Sequence, residues 1–275
     1  MTQLTVAEVL NRVQHGQSLC QAELSNINLC GARLEESNFT RAYLRRANLA
    51  GASCSGANFS QATLVMAVFS GAALEGARLE SAELTKARLN RSILRDLYAP
   101  KARCQGADFD GADLSLAELA QADLSKSTGR RTYFNQANLT HTNLNGGDFS
   151  GASFGDATLP NSQWQGAVLR GVAFSLTNLA AADFTGADLT GANFTQAKVL
   201  KAQLEGACLN RAMLLQTQAD GSNFTRASLV AANLAQGSFV GARFHQAVMR
   251  GANLVGANLQ QANFEAADLT AVNFT

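Results

Sequence analysis

The sequence predicts an all-β solenoid built from short extended sides that meet at corners. Two observations carry this prediction: leucine or phenylalanine recurs every five residues, and glycine falls almost only two residues after it. A period of five matches neither the 3.6-residue stripe of a helix nor the alternation of an ordinary strand. A short fixed repeat instead indicates units that bury their apolar sides by stacking on one another.

The hydrophobic repeat runs from Leu19 to Phe274 without a change of register. We call each fifth-residue position a centre; of the 52 centres, 44 are leucine or phenylalanine. The residue two before a centre is nearly always Ala, Ser or Thr, as Ala187 is before Leu189. We therefore expect residues whose numbers end in 4, 9, 2 or 7 to face the interior, and the other three of each repeat to face water.

Glycine and proline predict the corners. Of the 23 glycines, 19 lie at positions ending in 1 or 6. Pro100 and Pro160 each lie immediately before a position of that kind. Proline followed by glycine at the two central positions is typical of a type II turn, in which the second central residue has positive φ. Each repeat is therefore expected to be an extended side followed by a type II corner.

The paired repeats at 186–195, which read GADLT and GANFT, resemble the A-(D/N)-L-x-x motif of pentapeptide-repeat proteins. The resemblance covers roughly residues 18–275. It implies a right-handed quadrilateral parallel β-helix with four repeats to a coil, and hence about 13 coils. Phe134, Phe154, Phe174 and Phe194 recur at twenty residues, which favours four sides because such residues stack in successive coils.

The first residues follow a different pattern. Thr5 and Glu8 have the spacing of a capping box, and apolar residues with helical spacing follow them, so we predict a helix from Val6 to His15. The expected organisation is a capping helix within 1–17 and one repeat domain over 18–275. At the other end the repeats run to Thr275 without a lid. Because an open sheet edge invites pairing, the uncapped C-terminal coil is a candidate for self-association.

Composition narrows the function. The net charge of +1 gives little long-range attraction to nucleic acid or to a membrane surface, and no run of 18 apolar residues is present. We therefore expect a cytoplasmic protein. The five cysteines and three histidines are not spaced as metal ligands or disulfide partners. No catalytic motif is recognisable, so we predict no enzyme activity, no cofactor and no metal.

In three stretches, 97–100, 127–133 and 215–220, the centre is Ala or Gly instead of a bulky residue. In the first of them a large residue, Leu97, stands two positions before the centre. One interpretation is packing compensation, in which a larger neighbour fills the interior. The other is a local bulge that turns side chains toward a partner.

Basic residues concentrate in the same middle region, and nearby acids such as Asp108, Asp110 and Asp123 are expected to neutralise part of it. We predict that an unidentified protein partner binds there, through Lys86, Arg88, Arg91, Arg95, Tyr98, Lys101, Arg103, Arg130, Arg131 and Tyr133. Arginine and tyrosine are enriched at binding hot spots. Some outward apolar residues are predicted to share one side: Ile93, Leu116, Tyr133, Leu176, Met213 and Leu215.

The function predicted from these features is a non-enzymatic interaction protein or regulatory scaffold. It is similar to cyanobacterial members of the family, in which a helix precedes the repeats. One alternative is a DNA mimic that binds gyrase, as the quinolone-resistance members do. That role requires a dense negative surface, which 22 basic and 21 acidic residues do not provide. The other alternative is a purely structural role.

Overall fold

The structure is a computed structural model and describes residues 3–275. Helix α1, Val6–Gln14, comes first, and the rest of the described chain consists of type II corners joined by single-residue parallel bridges. The chain divides into two compact units, unit 1 (Met1–Asn138) and unit 2 (Leu139–Thr275). The expectation of a single repeat domain over 18–275 stays a prediction.

Within each unit, the bridges join residues twenty apart, for example Asp183 to Gln203 and Asp188 to Cys208. Bridging residues have numbers ending in 3 or 8, so one coil carries four of them and has four sides. Between bridges, the residues ending in 1 or 6 have positive φ, from +54° to +69°. The N–H of the residue three after each centre closes the turn. Ala192, for example, donates its N–H to the carbonyl of the centre Leu189 over 2.9 Å.

One repeat, Asp188 to Ala192, shows why the motif contains Asp or Asn. Asp188 N–H donates back to Ala167, Leu189 and Gly191 N–H donate forward to the next coil, and Ala192 N–H closes the turn. Among residues 3–275, the N–H of Thr190 has no backbone acceptor; it donates instead to the Asp188 carboxylate over 3.1 Å. Where Asp or Asn precedes a centre, as Asp183 and Asn193 also do, it forms an Asx turn that satisfies the remaining N–H of the repeat.

The interior has the composition that the repeat predicts. Leu189 and Ala182 are fully buried, and Phe154, Phe174 and Phe194 stack in successive coils with ring centroids 5.1 Å apart. Hydroxyl groups at interior positions find carbonyl acceptors, as Thr177 Oγ1 does by donating to the carbonyl of Phe154 over 2.8 Å. In the described residues, no fully buried side-chain nitrogen or oxygen lacks a hydrogen-bond partner.

The irregular stretches keep the register. Leu97 fills the interior beside the small centre Ala99, and each is only 2% exposed. At the Gly129 centre, the buried Thr132 donates to the carbonyl of Phe109 over 2.7 Å. Bridges and turns continue through both stretches, and Thr217 and Ala219 are fully buried in the third. These contacts support packing compensation over a bulge.

Helix α1 has the predicted capping box. The Thr5 side chain accepts the N–H of Glu8 over 3.3 Å, and the Glu8 carboxylate accepts the N–H of Thr5 over 2.8 Å. Val9 is fully buried, whereas Val6 and Leu10 are 38% and 37% exposed. Within α1, all of which the structure describes, Val9 alone is fully buried and Val13 is half-buried, so part of the apolar face is open. No helix among residues 3–275 is long and apolar enough to span a membrane.

We expect the Asx turns to make stability depend on acid pH. Burial, the largest single influence, raises the pKa of Asp188, but hydrogen bonds from Thr190 and Arg170 outweigh it and the pKa lies below its ordinary value. A lowered folded-state pKa stabilises the fold above the unfolded pKa, near 3.8, and this contribution is lost as pH falls through the folded value.

The Asp188→Asn variant isolates this effect because it keeps the acceptor oxygen and removes the charge. We expect it to lower the free energy of unfolding by about 1 kcal/mol near neutral pH, since solvent screens the exposed Arg170. The difference from the wild type should vanish once Asp188 is protonated in both states. Chemical denaturation at neutral and strongly acidic pH measures it, and a difference independent of pH would contradict the assignment.

Candidate functional site

The structure does not bring all ten predicted partner-binding residues together. Each side of unit 1 can be named by one member of its bridge column. Tyr98, Arg103, Arg88 and Tyr133 lie in four different columns and therefore on four different sides. A single flat partner surface cannot contact all four sides. Only those predicted residues that share one side can therefore bind one partner together.

Local pairs occupy several of these residues. Arg103 forms an ion pair with Glu83 at 3.1 Å, and Arg130 Nη2 approaches Asp110 Oδ2 to 2.6 Å. The guanidinium of Arg78 lies 4.6 Å from the ring centroid of Tyr98. Acidic neighbours thus neutralise part of the basic region, as expected from the sequence. Lys86, Arg88 and Lys101 are exposed, and each lies on or beside a side other than that of Tyr133.

One side of unit 1 combines exposed apolar and cationic groups. We call it the Ile93 side; its bridge column is Arg33, Ser53, Ala73, Ile93, Asp113 and Tyr133. Ile93 is 47% exposed, Tyr133 is 51% exposed, and Leu116 at the following corner is 41% exposed. Isolated exposed apolar side chains need no explanation, whereas several that share one side make that side a candidate interaction surface.

Two arginines border the Ile93 side at the corner that precedes it. Arg91 and Arg131 have φ of +59° and +57°, and Gly111 holds the same position in the coil between them. Two coils separate the arginines by about 10 Å. A Cβ built on Gly111 would lie 3.8 Å from Cγ of Arg91. Among the residues that the structure describes, neither arginine forms an ion pair, so both guanidinium groups are available to an anionic partner.

Arg95 is a further cation near Ile93 on this side, and it is only loosely held. Its Nη1 atom lies 3.7 Å from Oδ2 of Asp113, and about half of its side chain is exposed. Asp113 also accepts the N–H of Ser115 over 3.0 Å. Of the ten predicted residues, the structure therefore groups Arg91, Arg95, Arg131 and Tyr133 on or beside one side.

Unit 2 carries a comparable but less charged pair of apolar residues. Leu176 and Met213 are 55% and 44% exposed on the side whose bridge column includes Ala173, Asn193 and Met213. Leu215, which was predicted to share it, is only partly exposed. These residues make useful controls because their exposure matches that of the Ile93 side.

The described residues offer little for catalysis or metal binding. Across residues 3–275, no group of three or more His, Cys, Asp or Glu side chains is placed to hold a metal ion. Cys54 and Cys104 are buried free thiols. Burial, and secondarily the Glu35 carboxylate, raises the pKa of Cys54 to about 12. A thiol with that pKa stays protonated at neutral pH and is a poor nucleophile.

Sequence analysis did not predict one candidate site, which lies at the N-terminal end of unit 1. Two adjoining cavities of about 510 and 410 Å³ lie between α1 and the first coil, and Val13, Gln14 and Glu35 line both. The partial exposure of Leu10 results from the same opening. The sequence signal was Leu10 and Val13, two apolar residues of α1 that line the first cavity and are not fully buried as Val9 is.

Comparison with solved structures finds other repeat proteins of this kind. HetL, a pentapeptide repeat protein involved in heterocyst differentiation regulation from the cyanobacterium Nostoc sp. strain PCC 7120, is 27% identical over 98% of this chain and 97% of its own, with a TM-score of 0.31. QnrB1, a plasmid-mediated fluoroquinolone resistance protein, is 18% identical over 72% and 91%, with a TM-score of 0.43. Rfr23 from the cyanobacterium Cyanothece 51142 is 23% identical over 39% and 64%, with a TM-score of 0.21.

The family assignment rests on the repeats themselves. The comparison with curated proteins gave no match. The family model described as pentapeptide repeats (8 copies) matches residues 22–96 and 101–275 through successive segments. Proteins of this family fold as right-handed quadrilateral β-helices, which agrees with the four bridge columns of each unit and confirms the predicted fold class. The chain therefore belongs to the pentapeptide-repeat family.

Proposed function

We propose that this protein is a non-enzymatic interaction or regulatory scaffold that binds a protein partner through the Ile93 side. The observation that carries the proposal is the grouping of Ile93, Leu116 and Tyr133, each more than 40% exposed, beside Arg91 and Arg131, which form no ion pair among the described residues. Apolar area at the centre of a surface with cations at its border is the usual anatomy of a binding site. The matching partner surface carries apolar anchors and acidic residues.

The backbone supports this role because it is already ordered. Ile93 N–H donates to Ala72, its carbonyl accepts from Leu74 over 2.7 Å, and Asp113 repeats the pattern in the next coil. A surface held by such a ladder loses little conformational entropy when a partner binds. Arginine and tyrosine also contribute large contact areas at interfaces.

The gyrase-binding alternative has less support in the charges. A DNA mimic presents rows of carboxylates, whereas the corner beside the Ile93 side presents Arg91 and Arg131. A purely structural role would leave the exposed apolar group on one side of unit 1 unexplained.

Paired affinity capture tests the proposal. The baits are the wild type, Ile93→Thr, and the matched control Met213→Thr, since both residues lie in bridge columns and are 47% and 44% exposed. Threonine keeps the β-branched shape that suits a bridge position. We expect the wild type and the Met213 variant to recover the same partner from lysate of the source organism, and the Ile93 variant to recover much less. Equal recovery by all three would contradict the proposal.

We also propose self-association through the C-terminal coil. The interior residues Leu259, Phe264 and Leu269 are only partly buried there, and Phe274 is 47% exposed. Burial of these side chains in a second copy would remove apolar surface from water. We expect the sedimentation coefficient to rise with protein concentration, and Phe274→Asp to abolish the rise. A wild type that stays monomeric at all concentrations would exclude this contact.

A further inference from the structure

The N-terminal edge of the first coil, at residues 32–35, presents an unpaired section of backbone. The carbonyl of Ala32 accepts the N–H of Ser53 over 2.9 Å, and the N–H of Leu34 donates to the carbonyl of Ser53 over 2.7 Å. Both bonds point toward the second coil. Because alternate residues of an extended strand point their backbone groups in opposite directions, the N–H and C=O of Arg33 point the other way. Within residues 3–275, neither has a backbone partner.

The chain already uses the same edge for pairing on a different side. The N–H of Leu4 donates to the carbonyl of Glu23 over 3.3 Å, and Nε2 of Gln3 donates to the carbonyl of Ser25 over 2.6 Å. Residues that precede α1 thus bind edge groups on one side of the first coil. At Arg33 the described residues supply no such segment, and the edge lies open beside α1.

The two cavities between α1 and the first coil form a trough along this edge. Its first part is lined by the apolar residues Leu10, Val13 and Ala32 together with Gln14, Arg33 and Glu35, and more of its exposed lining surface is apolar than polar. Its second part adds Glu36 and the polar residues Gln17 and Ser18. An apolar pocket followed by a polar one is the arrangement that accepts alternate side chains of an extended peptide.

Charge then selects the peptide. Glu35 lines both cavities, and Glu36, which lines the second, lies over Gly56 with a carboxylate oxygen 2.1 Å from where a Cβ on that glycine would be. Among the described residues, neither carboxylate forms an ion pair. The second cavity contains two carboxylates and no cationic lining residue. A lysine or arginine is the complementary side chain.

We propose that the trough between α1 and the edge at Arg33 binds an extended peptide segment of a partner, with an apolar residue near Leu10 and Val13 and a basic residue near Glu35. The peptide adds a strand to the coil. The peptide runs parallel to residues 32–35, as the strand segment at Ser53 does on the other edge. One peptide carbonyl accepts the N–H of Arg33, and one peptide N–H donates to the carbonyl of Arg33. Arg33 belongs to the bridge column of the Ile93 side, but it lies three coils before Ile93, at the edge of the first coil, and the trough there selects the opposite charge.

The experiment uses a fluorescent, end-capped heptapeptide of alternating valine and lysine, titrated with the full-length protein and followed by fluorescence anisotropy. Three comparison peptides define the chemistry: alternating valine and glutamate, alternating serine and lysine, and the first peptide with its central amides N-methylated. We expect saturable binding of the first peptide and at least about tenfold weaker binding of each comparison peptide. Loss on N-methylation is the result that distinguishes strand addition from simple charge attraction.

Variants of the protein locate the site. Arg33→Pro removes the N–H that the peptide needs, whereas Arg33→Ala removes only the side chain, so we expect about tenfold weaker binding for the first and little change for the second. Glu35→Gln should weaken binding of the lysine peptide. Thermal unfolding of each variant shows whether the fold is kept. Hydrogen exchange of the wild type provides a measurement that needs no variant, because peptide binding should slow exchange of the Arg33 amide.

Absence of saturable binding would overturn the proposal. So would equal binding of the valine–lysine and valine–glutamate peptides, or unchanged exchange at Arg33 in the saturated complex. If the peptide binds the wild type and Arg33→Pro equally, the site lies elsewhere and the strand-addition geometry is wrong. Failure of these tests leaves the Ile93 side proposal standing, because that proposal depends on different residues and an acidic partner.

Discussion

Replacing Leu189 by aspartate is expected to unfold unit 2 or to prevent its folding. Leu189 is fully buried in a column of centres, and its N–H donates to the carbonyl of Cys208 over 2.7 Å. Truncating a buried leucine to alanine alone costs about 2–5 kcal/mol. A buried carboxylate without a cation adds a further desolvation cost. We therefore expect a loss of more than about 5 kcal/mol in the free energy of unfolding.

Two matched variants separate burial of charge from the mere change of sequence. Ala181→Asp places the same side chain at an exposed corner with φ of +56°, a conformation that aspartate tolerates, and should change stability little. Leu189→Met preserves volume and should cost less than about 1.5 kcal/mol. Chemical denaturation followed by far-UV circular dichroism measures all three. A folded Leu189→Asp protein with wild-type stability would refute the position of this column in the interior.

The second large effect concerns binding. We expect the double variant Arg91→Gly with Arg131→Gly to weaken partner binding by about tenfold to a hundredfold, because each removes a guanidinium that no described residue neutralises. Glycine adopts positive φ without steric cost, so the corners keep their shape. Binding by the wild type should also weaken as salt is added, whereas binding by the double variant should depend less on salt.

The matched control for this variant is Lys201→Gly with Arg211→Gly. Both residues are exposed cations at corners of unit 2 with φ of +55° and +59°, so net charge and backbone change equally. Affinity for the captured partner, measured by calorimetry at low and high salt, compares the two pairs. If the unit 2 pair weakens binding as much as the Arg91 pair, net charge and not the Ile93 side determines the affinity.

The repeat made the fold predictable because interior and corner positions depend on side-chain size and on φ. Leu189, Ala187 and the corner at Gly191 all occupy the places that their residue types indicate. Helix α1 ends at Gln14, one residue before the predicted His15. The role of Asp188 was not predictable from hydropathy, because a residue that faces water can still be required by an N–H two positions later.

The sequence predicted less of the candidate site. Glycine marks only some corners: residues such as Arg91 and Leu116 adopt positive φ because the ladder on both sides fixes the backbone against their preference. The linear cluster from Lys86 to Tyr133 spans more than two coils, so neighbours in sequence fall on different sides. Ion pairs such as Arg103 with Glu83 join residues twenty apart and are visible only when the coil length is applied to every charge.

Site-specific photo-crosslinking at Leu116 and Leu176 tests the central claim most directly. Both are exposed leucines at corners with φ of +64° and +61°, one beside the Ile93 side of unit 1 and one in unit 2. A photoreactive residue at each position, irradiated in lysate of the source organism, labels whatever contacts that surface. We expect a specific protein adduct from position 116 and none from position 176. An adduct from position 176 alone, or the same adducts from both, would contradict binding through the Ile93 side.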